Sequence, residues 1–363
     1  MNEVIQRFSL ETSKIGDQIF SHWFPRMLVA GLDYNDLRRL MIMYEKWEDW
    51  PVLWEEIGNQ HLNLGKKALE KKHKHKVTAG YSFRRAALYF HYGQFMLFDR
   101  PEKKTELYKK CMDVYEEAVR YLPNPGRKIY IPFGDQHIPA FYREVTERNS
   151  RMVLMLPGAD ANKEELSTFE DIFLERGIST LTIDGPGQGE IRSQVPFRKD
   201  AYDEAIKTVL DYALGHLGCK NGIAVGGISF GGYLAPRAAA CNPIIKACFG
   251  VGGPFDLSDW SKMTLLLQTD FTYVFGVNSY SEAQKLCKEI DLSDVIDQLK
   301  CPLTIVHGEK DEIIHAHHAE RIVKTSNSCE PNLIIIKGGN HVCNNYPYIY
   351  RPIIGDWIVD KLS

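Results

Sequence analysis

The sequence predicts an α/β chain: a mostly parallel sheet with helices on both faces, preceded by an all-helical N-terminal region. Three observations lead there. Before residue 125 apolar residues recur every three or four positions among charges, the spacing of amphipathic helices. "LPNPGRK" (122–128) then interrupts that rhythm with two prolines and a glycine. Beyond it, short apolar runs alternate with helical stretches, as expected when parallel strands are buried under helices on both sides. The expected domains are 1–125, helical, and 126–363, α/β.

In the helical region, "DYNDLRRLMIMYEKWEDWPVLWEEIGNQHLNLGKKALEKK", "YSFRRAALYFHYGQFMLF" and "KKTELYKKCMDVYEEAVRYL" carry the 3.6-residue period and are rich in Trp, Tyr and Phe. Those aromatics suit an apolar pocket for an aryl substrate, or equally the helices' own core. The run "EKKHKHK" (70–76) reads as a solvated helix end. "KIYIPF" and "HIPAFYREV" flank the turn "GDQ" and predict a hairpin. Strands follow at 151–156, 179–183, 222–227, 246–251, 303–307 and 332–336, with helices at 163–176, 201–216 and 316–325 between them.

Composition narrows the function classes. The chain has 363 residues, 44% of them apolar and 11% aromatic, enough for a sizeable core. A formal net charge of −3 gives no basic excess of the kind a nucleic-acid partner requires. The charged opening, "MNEVIQRFSLETSKIGDQIF", lacks the apolar centre of a signal peptide, and no stretch reaches the roughly 18 apolar residues of a membrane span. Eight cysteines stand singly with no CxxC spacing, so they read as buried thiols of a reducing compartment. The expectation is a cytoplasmic protein with no membrane partner.

In open parallel sheets the chemistry gathers beyond the carboxyl ends of the strands. After the strand "IAVGG" comes Gly227-Ile228-Ser229-Phe230-Gly231, which fits G-x-S-x-G, with the helix-like "YLAPRAAAC" behind it. Glycines two residues either side let strand and helix converge, so Ser229 can sit exposed on a strained turn. A nucleophilic serine needs a base, and the base an orienting acid. Asp311 follows the strand "LTIVH", and His341 sits in "KGGNHVC" after "NLIII". Ser229, Asp311 and His341 thus occur in the α/β-hydrolase order. Glu309 and Glu312 are the rival acids; the short carboxylate suits a fixed loop better. The oxyanion donors expected are the backbone N–H of Phe230 and that of Ala159, in "LMLPGADANKEE". The loop "DGPGQGE" (184–190) lacks G-x-G-x-x-G and a P-loop lysine, and is read as a tight structural turn. Histidines 315, 317 and 318 resemble the exposed start of a helix, so no metal site is expected, and no cofactor.

"PGADANKEE", "DGPGQGE", "GGISFGGYLAPRAAA", "HGEKDEII" and "GGNHVC" resemble the α/β-hydrolases grouped with 2,6-dihydroxypseudooxynicotine hydrolase, the fungal heptaketide hydrolases and the FrsA-like proteins. The resemblance covers nearly the whole chain. It implies an α/β-hydrolase fold with a helical N-terminal domain over the active site, and a triad falling on Ser229, Asp311 and His341. It also implies a homodimer acting on a small aryl or acyl substrate, and hydrolysis of a C–C bond next to a ketone. Two alternatives stand beside it, a carboxylesterase of small esters and a non-catalytic FrsA-like binding protein. The stretch "GGPFDLSDW" (252–260) resembles the family segment leading to the substrate cavity, and its Asp259 is read as a surface or capping carboxylate rather than an auxiliary acid.

Overall fold

The computed structural model describes Val4, residues 15–145 and residues 151–363. The opening stretch weighed against a signal peptide therefore lies outside the described residues, apart from Val4 and the part from residue 15 onward. Among the described residues no helix is long and apolar enough to cross a membrane. The chain forms two compact units, Met1–Arg127 and Lys128–Ser363.

The first unit is helical: α1 (Ile15–Ala30), α2 (Tyr34–Met43), α3 (Asp49–Glu70), α4 (Lys76–Gln94) and α5 (Pro101–Val119). Asp33 caps α2 by accepting the Asn35 N–H at 2.8 Å. The aromatics form this unit's own core. Trp50 and Trp54 of α3, at 0% and 1% exposure, lie 5.1 Å apart, and Trp54 meets Tyr89 and Tyr92 of α4 at 5.9 and 5.8 Å. Residues 71–74 form an exposed turn between α3 and α4.

The second unit holds an eight-stranded sheet: β1 (Gly126–Phe133), β2 (Gln136–Arg143), β3 (Arg151–Leu156), β4 (Ser179–Ile183), β5 (Gly222–Ile228), β6 (Ile245–Val251), β7 (Leu303–Gly308) and β8 (Pro331–Ile336). Its spatial order is β1-β2-β4-β3-β5-β6-β7-β8. β2 runs antiparallel to β4; from β4 to β8 each neighbour is parallel. The hairpin turn is Gly134-Asp135, one residue shorter than "GDQ", with Gly134 at φ +54°. Central strands β4 and β7 are buried along their whole length, as covered parallel strands must be, whereas edge strand β8 is half exposed.

Helices α6 (Ser167–Leu174), α7 (Lys199–His216), α8 (Gly231–Cys241), α9 (Leu265–Val274), α10 (Tyr280–Cys287), α11 (His317–Thr325) and α12 (Pro347–Leu362) complete the unit. Phe169 and Phe173 of α6 and Tyr350, Ile354 and Ile358 of α12 cover one face of the sheet, over Val153, Ala224 and Phe249. α8 covers the opposite face, where Gly227 and Gly250 leave room for the backbone of Gly231 and Gly232. The helix expected at 163–176 begins only at Ser167, because Lys163 is drawn out of helical geometry by Asp184, which accepts its N–H at 2.8 Å. The cysteines are all free, but the reading of them as buried is corrected at two sites: Cys241 and Cys329 are exposed.

From β3 the chain moves outward to β4 and then crosses back to β5, so the order reverses between β3 and β5. Loops leaving neighbouring strands on opposite sides open a crevice at such a switch point. The loop after β3 and the loop after β5 carry Ala159 and Ser229.

Candidate active site

Ser229 occupies the turn between β5 and α8 with φ +53°, a left-handed conformation that costs a non-glycine residue on the order of 1–2 kcal/mol. The two flanking glycines of the motif are both required. A Cβ on Gly227 would fall on the Gly231 carbonyl oxygen, and one on Gly231 would fall on the Leu156 carbonyl oxygen. The turn is tied down by Ser229 N–H donating to Val251 O at 2.8 Å and Gly232 N–H donating to Ser229 O at 2.7 Å.

The structure brings the three expected side chains together. Ser229 Oγ lies 2.9 Å from His341 Nε2, and His341 Nδ1 lies 2.8 Å from Asp311 Oδ2. Since the carboxylate only accepts, Nδ1 carries the proton and Nε2 is left to accept from the serine hydroxyl. Asp311 is 4% exposed, and its Oδ1 accepts the N–H groups of Ile313 and Ile314 at 3.0 and 2.9 Å. Burial alone would raise its pKa. The neighbouring His341 and His307 imidazoles and the Ile314 N–H outweigh burial and hold the carboxyl well below the usual carboxylate range. The rival acids are occupied elsewhere or open to solvent: Glu309 accepts the Gly338 N–H at 3.0 Å, and Glu312 is exposed.

His341 begins a short 3-10 turn (His341–Cys343) ahead of α12, and the two residues after it, Val342 and Cys343, have φ +60° and +53°. Both are buried in the core under α12.

The loop Pro157-Gly158-Ala159 lies against the serine: a Cβ on Gly158 would sit 3.3 Å from Ser229 Cβ. Among the described residues neither the Ala159 N–H nor the Phe230 N–H donates a hydrogen bond. Two unengaged donors beside a hydroxyl hydrogen-bonded to histidine are suited to receive an oxyanion.

Asp259 is exposed and ion-paired with Lys262 at 2.6 Å, in keeping with a surface carboxylate. His315 and His317 are exposed near the start of α11, while half-buried His318 turns inward to accept the Phe255 N–H at 3.1 Å. Two buried residues close to the site escaped the sequence reading. His307 donates from Nε2 to Ile314 O at 2.6 Å with Asp311 Oδ2 3.4 Å away, and Gln188 bonds the Pro157-Gly158 loop. For His307 the only signal was its place as the last residue of "LTIVH".

The FrsA-like esterase model matches residues 34–263, and the prolyl oligopeptidase family model matches residues 198–354. The chain is similar to 2,6-dihydropseudooxynicotine hydrolase of Paenarthrobacter nicotinovorans, with 30% identity over 93% of this chain and 91% of the relative. It is 26% identical to the hydrolase LUC6 of a Fusarium species, over 73% and 74% of the two chains. The crystal structure of 2,6-dihydroxy-pseudo-oxynicotine hydrolase superposes with a TM-score of 0.85 at 28% identity, covering 94% of this chain and 96% of that one. AbyA5, at 16% identity and a TM-score of 0.71, shares the fold over 91% and 94% of the chains. With that likeness running through both the helical and the sheet unit, the chain belongs to the FrsA-like esterase family of α/β-hydrolases and is a serine hydrolase.

Proposed function

We propose that this hydrolase cleaves a C–C bond next to a ketone, in an aryl ketone or a β-diketone of polyketide type, through Ser229, His341 and Asp311 and without a cofactor. The observation that carries the reading is the unbroken hydrogen-bonded run from Ser229 Oγ through His341 to buried Asp311. His341 Nε2 takes the hydroxyl proton as Oγ attacks the ketone carbon. Asp311 holds the proton on Nδ1 and stabilises the imidazolium that forms. The carbonyl oxygen, now an oxyanion, is received by the N–H groups of Phe230 and Ala159; losing one such donor costs about 100- to 1,000-fold in rate. The adduct collapses by breaking the C–C bond, and the imidazolium protonates the departing carbanion, an enolate or activated aryl carbon. An acyl group stays on Oγ. Water, deprotonated by His341, then releases it as a carboxylic acid.

The choice of bond is supported by the resemblance to the C–C hydrolases in motifs from Pro157 to Cys343. A second reading, a carboxylesterase of small aryl or acyl esters, draws on the esterase description of the matching family. The first step is the same, and only the leaving atom differs. The same resemblance makes a homodimer part of the proposal, and the eight free cysteines make a cytoplasmic location part of it.

Fluorophosphonate labelling followed by peptide mass spectrometry tests the nucleophile: label on Ser229, and none in Ser229→Ala, is the expected result. Comparing kcat/KM for p-nitrophenyl acetate with that for an aryl β-diketone then separates the two readings. Fast ester cleavage with a silent diketone would sink the C–C assignment.

A further inference from the structure

The loop after β4, "DGPGQGE", was expected to be a structural turn, yet one of its side chains grips the loop that carries Ala159. Gln188 is fully buried, and its Nε2 donates to Pro157 O at 2.7 Å and to Gly158 O at 3.2 Å. Its Oε1 accepts the Gly185 N–H at 3.2 Å and the Tyr202 hydroxyl at 3.0 Å. A backbone N–H can only donate, so this set of partners leaves one orientation for the amide. Burial holds the Tyr202 phenol far above its ordinary pKa, and the hydroxyl remains a donor.

A third carbonyl of the same loop is held from the same segment: Arg192 Nη2 donates to Ala159 O at 3.3 Å, with its guanidinium 4.7 Å above the Tyr273 ring. The far end of the loop is anchored by Asp184, which accepts the Lys163 N–H and pairs with Lys163 Nζ at 2.7 Å. Three consecutive carbonyls, of Pro157, Gly158 and Ala159, therefore face side chains of the 184–192 segment.

We propose that Gln188 is a positioning residue that presets the oxyanion hole. This rests on the triad and oxyanion reading given above. The Gly158–Ala159 peptide is planar and trans, so its C=O and N–H point in opposite directions. Holding the carbonyl back toward Gln188 turns the Ala159 N–H outward, toward the adduct on Ser229, and leaves it without an acceptor until the oxyanion forms. The donor is aimed before substrate arrives, so no reorganisation is needed at the moment of reaction. Tyr202 acts one step further out by fixing the amide of Gln188.

The test combines steady-state kinetics on p-nitrophenyl acetate with the affinity for phenylboronic acid, whose tetrahedral serine adduct places an oxygen in the oxyanion position. Gln188→Glu keeps the acceptor facing Tyr202 and Gly185 but turns an oxygen toward two carbonyls; Gln188→Met keeps the volume and removes every hydrogen bond. In both, kcat should fall roughly 30- to 300-fold with KM within about threefold, as for a lost oxyanion donor. The boronate dissociation constant should rise by the same factor. Tyr202→Phe should show the same pattern at about a tenth of that size, since it removes one neutral hydrogen bond behind Gln188. A purely structural role would lower the melting temperature without weakening boronate relative to substrate, and that result overturns the proposal in whichever variant folds. Native-like Gln188→Glu beside inactive Ser229→Ala overturns it alone; active Ser229→Ala overturns the triad reading and this inference together.

Discussion

The turn at Ser229 and the turn at His341 both use left-handed backbone, at φ +53° in the first and at +60° and +53° in the residues following the histidine. They hold it by different means. Around Ser229 the flanking positions are glycines, and removing their side chains is what lets α8 approach β5 and Leu156. At the second turn the strained residues themselves carry bulk. Val342 is β-branched, for which positive φ is a genuine outlier, and it is buried with Cys343 beneath Tyr350 and Ile354 of α12. Glycines help here only from neighbouring segments: a Cβ on Gly252 would sit 3.0 Å from Val342 N, and one on Gly308 would strike the Gly339 and Asn340 carbonyl oxygens. One turn is strained by local design and announces itself as a motif. The other is strained because tertiary packing over-determines it, and no motif records it.

Substitutions can break or sharpen this contrast. Ser229→Gly should show the largest effect, an activity loss of about 10⁴-fold or more from removing the proposed nucleophile. Its stability should rise by roughly 0.5–1 kcal/mol, because glycine adopts the left-handed region without penalty. Val342→Gly relieves the same kind of strain but deletes a buried isopropyl group, and should lose about 1–2 kcal/mol in urea melts. If Val342→Gly stabilised the protein as well, packing would not be what holds the second turn.

Asp311→Asn should lower kcat by about 10³- to 10⁴-fold while leaving fluorophosphonate able to reach Ser229 slowly, because the histidine loses its tautomer and the support of its charge. Gly227→Ala should cost roughly 1–3 kcal/mol in stability, since the added methyl meets backbone that cannot move aside. A native-like melt for Gly227→Ala would refute the need for glycine at the elbow.

The smallest effect concerns acid. Asp311 has a depressed pKa, so its contribution is present above the unfolded value near 3.8 and is lost as pH falls through the lower folded value. His318 acts earlier. Burial, then the neighbouring His317, lower its pKa from 6.5 to about 4, against the opposite pull of Asp256. Its neutral form is the folded one, so the unfolded chain binds the extra proton between those values and stability declines as pH falls from 6.5 to 4. Melting temperatures from pH 8 to 3 should decline in these two stages, and His318→Gln should flatten the first. An unchanged pH profile in that variant would contradict the assignment.

Much of this site was legible in advance. Strands such as Ser179–Ile183 and Leu303–Gly308 were found within a residue because covered parallel strands are unbroken apolar runs. Ser229, Asp311 and His341 were found because each stands just beyond one of them. Lys163 read as the start of a helix but is held in a loop, and Gln188 read as part of a plain turn, because their partners lie 21 and 31 residues away and leave no periodic trace.

The sequence by itself determined the strands of the sheet unit, the elbow at Ser229 and the chain order in which Asp311 and His341 follow it. These rest on local physics: hydrophobic period, glycine's freedom and the strand-end placement of reactive side chains. Only the tertiary structure decided that Asp311 rather than Glu309 or Glu312 faces His341, that Val342 bears the strain behind His341, and that among the described residues the N–H groups of Phe230 and Ala159 are left without acceptors. Each of those is set by which chains of backbone meet across the β3–β5 switch point and beneath α12, where distant residues compete for the same few hydrogen bonds and the same buried space.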